Sequence, residues 1–185
     1  VGSEMFIRDR FNTYKNKLQA IKNCKNIIKE TKCDGVKLEG GSKIKDIIKH
    51  LVNNKIPVMG HIGITPQSQR GRFRYKGKTE KEKKNLLNDS KILEEAGVFA
   101  IVLECIEKKL SKKITETIEI PTIGIGSSKF CDGQILVLDD LLGLTNSKIK
   151  FVKKYANFKS NIRNAVKKFG SDVKRGSYPS LKHSY

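Results

Sequence analysis

Five short apolar runs, each ending in glycine or in a group able to do chemistry, constrain this chain more than any other feature. Val36-Lys37-Leu38-Glu39-Gly40-Gly41 carries an ammonium and a carboxylate two residues apart and stops at two glycines. Pro57-Val58-Met59-Gly60-His61 ends in an imidazole, and Phe99-Ala100-Ile101-Val102-Leu103-Glu104 ends in a carboxylate. Pro121-Thr122-Ile123-Gly124-Ile125-Gly126 ends in glycine, and Ile135-Leu136-Val137-Leu138-Asp139-Asp140 ends in two carboxylates. Residues i and i+2 of a strand project to one face, so Lys37 and Glu39 point together. A charged pair turned into a strand's own core is costly unless it is paired or does chemistry. Between the runs lie helical periodicities: Leu18, Ile21, Cys24, Ile27 and Ile28, then Ile44, Ile47, Ile48 and Leu51. A third helix over about 80–96 stops at Gly97, and a fourth spans 107–118. Strands alternating with helices require a parallel sheet with right-handed crossovers. Polar tips at the strands' C-terminal ends indicate an α/β barrel with its active site there.

A closed barrel of this kind needs eight strands. Five are clear, and Met5-Phe6-Ile7 reads as a sixth. The choice lies between an open doubly wound sheet and a barrel whose first strands are missing. The polar tips, together with a chain that begins at Val1 and not at Met, favour the second. The expected fold is an α/β TIM (β/α)8 barrel, incomplete at its first strands, forming a single domain over 1–185. The basic stretch from Gly63 to about Lys78 is too long for a plain connector and reads as a lid. The tail over 148–169 reads as one or two amphipathic helices, and 176–185 as an extended arm.

The formal net charge of +19, from 38 Lys and Arg against 19 Asp and Glu, invites a nucleic-acid reading. The lysines are spread through nearly every helix, and no basic patch interleaved with aromatics is visible, so solvated helix faces explain them better. Cys24, Cys33, Cys105 and Cys131 form no CxxC pair, which fits reduced thiols in the cytoplasm. Cys105 follows a strand tip and reads as a buried, reduced thiol. No run approaches the length of a membrane span.

On one strand face, Lys37 and Glu39 suit a metal-and-anion site. Glu39 would hold a hard cation such as Mg2+, and Lys37 a substrate carboxylate or a developing enolate oxygen. An internal ion pair explains them equally well. Glu104, behind four apolar residues, suits a general base, and His61 is a weaker signal at a strand end. The glycines of Ile123-Gly124-Ile125-Gly126-Ser127-Ser128 would either cradle an anion or permit tight packing.

The motifs VKLEGG (36–41), PVMGHIGITPQS (57–68), AGVFAIVLEC (96–105), IPTIGIGSS (120–128) and CDGQILVLDD (131–140) resemble the ketopantoate hydroxymethyltransferase family. The C-terminal stretch with Asp172-Val173-Lys174-Arg175-Gly176-Ser177-Tyr178-Pro179 and His183 is similar to that family's end. The resemblance covers residues 17–185. It implies a TIM barrel, Mg2+, and hydroxymethyl transfer from 5,10-methylenetetrahydrofolate to 3-methyl-2-oxobutanoate in pantothenate synthesis. It also implies a homo-oligomer. Carried over by motif, Lys37 corresponds to the substrate-binding lysine, Glu39 to a Mg2+ ligand, Glu104 to the proton acceptor and His61 to the active-site histidine. The family's Asp-x-Pro-Phe-x-x-Tyr is echoed by Asp9-Arg10-Phe11-Asn12-Thr13-Tyr14, which makes Asp9 a candidate metal ligand and substrate contact. The family's early Asp-Ser-Leu-Gly strand end has no counterpart, and its Gly-Ala-Gly is replaced by Gly126-Ser127-Ser128. The competing expectation is an inactive remnant of the family, kept as a subunit or basic binding protein.

Overall fold

The computed structural model describes residues 6–8 as backbone, and 13–66, 74–146 and 148–185 in full. Asp9 and residues 67–73 of the basic loop lie outside the described residues. The chain divides into two compact units, Val1–Ile135 and Leu136–Tyr185.

The first unit is an alternation of strands and helices. The strands are β1 (Phe6–Arg8), β2 (Gly35–Glu39), β3 (Val58–Gly63), β4 (Ala100–Glu104), β5 (Thr122–Ile125) and β6 (Gly133–Gln134). The helices between them are α1 (Lys17–Thr31), α2 (Lys45–Asn53), α3 (Glu80–Glu95) and α4 (Lys108–Thr117). All six strands are parallel, in the order β1-β2-β3-β4-β5-β6. A doubly wound sheet reverses its strand order at a switch point. This sheet never reverses among the described residues, so the winding is that of a partial TIM barrel.

Polar side chains set the helix ends. Asn16 accepts a hydrogen bond from the Gln19 N–H at 2.9 Å to begin α1, as an N-cap residue does. Before α3, Thr79 Oγ1 accepts from the Glu82 N–H at 3.2 Å. Glu82 Oε2 returns the favour by accepting from the Gly77 and Lys78 N–H groups at 3.0 and 2.8 Å. This reciprocal satisfaction of orphan donors is a variant of the capping box. Glu107 accepts from the Leu110 N–H at 2.9 Å and starts α4.

The core lies between the sheet and these helices. Val36, Leu38, Val58, Ile62, Ile101 and Leu103 from the strands pack with Ala20, Cys24, Ile48, Leu51, Leu93 and Ile114 from the helices, all essentially buried. These strand positions alternate, as the period of two requires. The remaining positions, Lys37, Glu39, Met59, His61, Ala100, Val102 and Glu104, therefore share the opposite face.

One strand expected from sequence is shorter than its apolar run. The segment 134–139 was expected to be strand, but pairing with β5 ends at Gln134, beyond which the Ile135 N–H reaches back to the Gly124 carbonyl at 3.0 Å. The chain then enters α5 (Leu138–Leu141), whose first turn carries Asp139 and Asp140. Acidic side chains favour a helix N-terminus, and an apolar run alone does not distinguish helix from strand.

In the second unit, α6 (Phe158–Lys174) begins at Asn157, whose side chain accepts from the Ser160 N–H at 3.4 Å. The helix runs later than the 148–169 expected from sequence. Ile162, Val166, Phe169 and Val173 lie on one stripe of it and are exposed. The tail is not wholly extended, since Leu181–His183 forms a 3-10 turn. The rings of Phe169 and Tyr178 meet edge to face, with centroids 5.4 Å apart.

Candidate active site

Strand register assembles the site. Glu39 lies directly opposite His61, and His61 opposite Val102, so Glu104 is the diagonal neighbour of His61 two residues on. Diagonal neighbours on one face are within reach of long side chains. Lys37 Nζ stands 2.8 Å from His61 Nδ1 and 3.7 Å from Glu39 Oε1. Glu39 Oε1 is also 3.7 Å from His61 Nδ1. On the other side of the ring, Nε2 lies 3.1 Å from Glu104 Oε2. The side chains of Glu39 and His61 are 1 % and 2 % exposed, whereas those of Lys37 and Glu104 retain 15 % and 19 %. The inner pair is thus shielded, whereas the ammonium and the outer carboxylate keep partial exposure.

The hydrogen bonds order the ring. An ammonium only donates, so Nδ1 accepts from Lys37, and in the neutral imidazole Nε2 carries the proton. Nε2 is close enough to Glu104 for an ion pair but not in line for a hydrogen bond. Glu39 is also held from its backbone. Tyr14 Oη accepts from the Glu39 N–H and donates to the Glu39 carbonyl, each at 3.3 Å.

The turn that carries Glu104 is tied down on three sides. Ser127 Oγ donates to the Leu103 carbonyl at 2.6 Å and accepts from the Ile106 N–H at 3.1 Å, straddling Glu104 and Cys105. The Ile64 N–H donates to the Glu104 carbonyl at 2.9 Å, and the Lys76 N–H to the Cys105 carbonyl at 2.8 Å. Gly63, opposite Glu104, sits at φ +101°, and a Cβ there would stand 2.1 Å from the Glu104 carbonyl oxygen. Only glycine allows that approach. Cys105 itself adopts φ 50° and is half-buried, not buried as expected. Burial, and to a lesser degree the neighbouring Glu104 carboxylate, push its thiol up to about 11. That makes it a poor nucleophile at neutral pH.

A cavity of about 550 Å³ opens beside the ends of β2 and β3, lined by Gly40, Gly41, Thr65, Asn85 and Asp89 among others. It lies on the helix side and includes none of the four charged residues, so it is distinct from the inner face. Asp89 closes it against the strand. Its carboxylate accepts from the Ser42 N–H at 2.8 Å and fills the place a Gly41 side chain would take.

The donor chemistry suits a hard cation. Glu39 and Glu104 offer oxygen, and the nearest thiol is held protonated. Among the described residues no three His, Cys, Asp or Glu side chains converge on one point. That set fits Mg2+, which is commonly held by one or two carboxylates with water and substrate oxygens completing its shell.

Of the residues singled out from sequence, Lys37, Glu39, His61 and Glu104 come together, and Asp9 lies outside the described residues. Tyr14, Ser127 and Asp89 were not assigned roles. Ser127 stood out only as a departure from the family pattern, and Asp89 is a lone polar residue on a helix, which carries no signal. The Gly124–Gly126 segment is packed close to its neighbours, with a Gly124 Cβ falling 2.9 Å from Gln134 Oε1, as the packing alternative required.

A parallel, sequentially wound α/β sheet with charged side chains grouped at its strand ends defines a barrel-type enzyme scaffold. The family model "Ketopantoate hydroxymethyltransferase" matches residues 5–181. Curated proteins named 3-methyl-2-oxobutanoate hydroxymethyltransferase are similar over most of the chain. That of Pelagibacter ubique is 56 % identical over 94 % of this chain and 67 % of its own length. That of Clostridium botulinum (strain Langeland) is 51 % identical over 90 % and 62 %, and that of Clostridium kluyveri 50 % identical over 100 % and 66 %. The chain belongs to the ketopantoate hydroxymethyltransferase family, and it spans about two thirds of the length of these relatives.

Proposed function

We propose that this chain carries the keto-acid site of a 3-methyl-2-oxobutanoate hydroxymethyltransferase, acting with 5,10-methylenetetrahydrofolate in pantothenate synthesis in the cytoplasm. The observation that carries this reading is the line Lys37–His61–Glu104 on one sheet face, beside the buried Glu39 carboxylate. Glu104 Oε2 would accept the C3 proton of the keto acid as the electron pair moves to the keto oxygen. Proton transfer by a positioned carboxylate is worth roughly 10²–10⁴ in rate. The proton on His61 Nε2 orients Glu104, and Lys37 fixes the ring's tautomer while its ammonium faces the substrate carboxylate. The C3 nucleophile then bonds to the one-carbon unit, water supplies the hydroxyl oxygen, and the two C–N bonds to that carbon break as tetrahydrofolate leaves with protons on its nitrogens. Glu39 would hold Mg2+, with Asp9 as the further proposed ligand; when bound, the cation supplies positive charge that acidifies the C3–H. A homo-oligomer belongs to the same reading, and the exposed apolar stripe of α6 is the surface we assign to it, testable by sedimentation.

The direct test is proton NMR of 3-methyl-2-oxobutanoate in D2O with protein and Mg2+. Loss of the C3 proton signal, reversed by EDTA, is the expected outcome. No exchange from a well-folded sample would favour the second reading, an inactive member of the family kept as a subunit. That reading draws on one observation: among the described residues no group of three or more His, Cys, Asp or Glu side chains is placed to hold a metal ion.

A further inference from the structure

The lysines of this chain are mostly dispersed, but one groove gathers five of them. It lies between α3 and α4, encloses about 680 Å³, and is lined by Tyr75, Lys78, Lys83, Lys84, Lys109 and Lys113. Two carboxylates also line it, Glu80 and Glu107. Both are engaged: Glu80 pairs with Lys83 at 2.6 Å, and Glu107 caps α4. Among the described residues, no carboxylate stands within ion-pair distance of Lys84, Lys109 or Lys113. The groove is therefore a positive concavity, with Lys84 and Lys113 in no ion pair among the described residues and Lys109 close enough to Glu107 for its charge to help hold that carboxyl below its ordinary value.

Its walls are fixed. The segment at 76–78 is hydrogen-bonded on one side to the turn after β4, through the Lys76 N–H to the Cys105 carbonyl at 2.8 Å and the Glu107 N–H to the Lys76 carbonyl at 2.9 Å. On the other side it is held by Glu82. Glu107 follows Glu104 by three residues, so at most about 11 Å of chain separates the groove from the proposed base.

The chemistry selects the occupant. No arginine lines the groove, so it offers separate point charges and no planar fork. The one aromatic face is already covered, since Lys78 Nζ lies 4.4 Å over the Tyr75 ring, which leaves no platform on which a base could stack. Lys109 and Lys113 are one helical turn apart, with a rise of about 6 Å. In a chain of γ-linked glutamates, successive α-carbons, each bearing a carboxylate, are five bonds apart, also about 6 Å when extended. We propose that this groove binds a short oligocarboxylate, the oligo-γ-glutamyl tail of a folate whose one-carbon unit is presented at the strand ends. The inference rests on the hydroxymethyl-transfer reading for its folate, but its test does not use the reaction.

The test is a titration of the 15N-labelled full chain with tetra-γ-glutamate at low salt. Shifts confined to the backbone of 75–84 and 107–113 are expected, with affinity falling as salt rises. Lys109→Glu with Lys113→Glu should weaken binding at least about tenfold, and the milder Lys109→Gln with Lys113→Gln pair should lie between. Far-UV circular dichroism confirms that both variants fold. Absent shifts, or shifts spread equally over the lysines of α1 and α6, would overturn the proposal. So would equal binding of α-linked tetraglutamate, or displacement of the peptide by a short single-stranded oligonucleotide at lower concentration. Peptide binding without C3 proton exchange would leave the groove standing and reject the reaction reading. Exchange without peptide binding would do the reverse.

Discussion

Glu104 and Glu39 are separated by one imidazole, and the two carboxylates are expected to fail differently. Glu104→Gln keeps the contact with His61 but cannot accept a proton. It should bind 3-methyl-2-oxobutanoate with little change and lose C3 deuterium wash-in by roughly 10²–10⁴-fold; wash-in at the unmodified rate would remove Glu104 as the base. Glu39→Gln should instead abolish the Mg2+ dependence of keto-acid binding measured by calorimetry. Cys105 offers a third check. With its thiol pushed up to about 11, the thiolate fraction at pH 8 is about 100-fold below that of an ordinary cysteine. Alkylation by iodoacetamide should be slower by that order than for a small free thiol, and should accelerate up to about pH 11. Fast labelling at pH 8 would mean that the turn opens. The sequence made Lys37, Glu39, His61 and Glu104 legible because each ends or nearly ends an apolar run. Tyr14 and Ser127 act through backbone atoms, and such roles depend on what the fold brings near.

The elements β2, β3, β4, α1, α3 and α4 fall within a residue or two of their expected bounds. Each has both an apolar period and a punctuating residue, such as Asn16, Thr79 or Gly97. The segment 134–139 misled because it has the apolar run without a second face to bury: Val137 and Leu138 are 54 % and 64 % exposed. The loop–helix junctions carry a pH prediction. Hydrogen bonds from backbone N–H groups hold the Glu82 and Glu107 carboxyls below their ordinary value of 4.5. A depressed folded-state value stabilises above the unfolded value and is lost as pH falls through the folded one. Denaturation midpoints should therefore decline below about pH 4.5, and Glu107→Gln should flatten part of that decline. An unchanged slope would place the acid-labile groups elsewhere.

Across the whole molecule, a net charge of +19 sets positive charge against itself. Self-repulsion destabilises a compact state and is screened by salt, so the thermal midpoint should rise by several degrees between low salt and physiological ionic strength. A flat response would show that the lysines are too dispersed to matter. The sequential strand order has a different consequence, one that concerns inheritance more than energetics. Chemistry and packing are interleaved on β2, β3 and β4, with Lys37, Glu39, His61 and Glu104 at every second position and the core residues between them. Inserting or deleting one codon within any of these strands exchanges the two sets at once, burying charge where Val58 or Leu103 packs and presenting aliphatics to the site. Point substitutions can explore this site one contact at a time. Length changes inside the strands cannot, so descendants of such a gene are free to vary in loop length while the parity of each strand is locked.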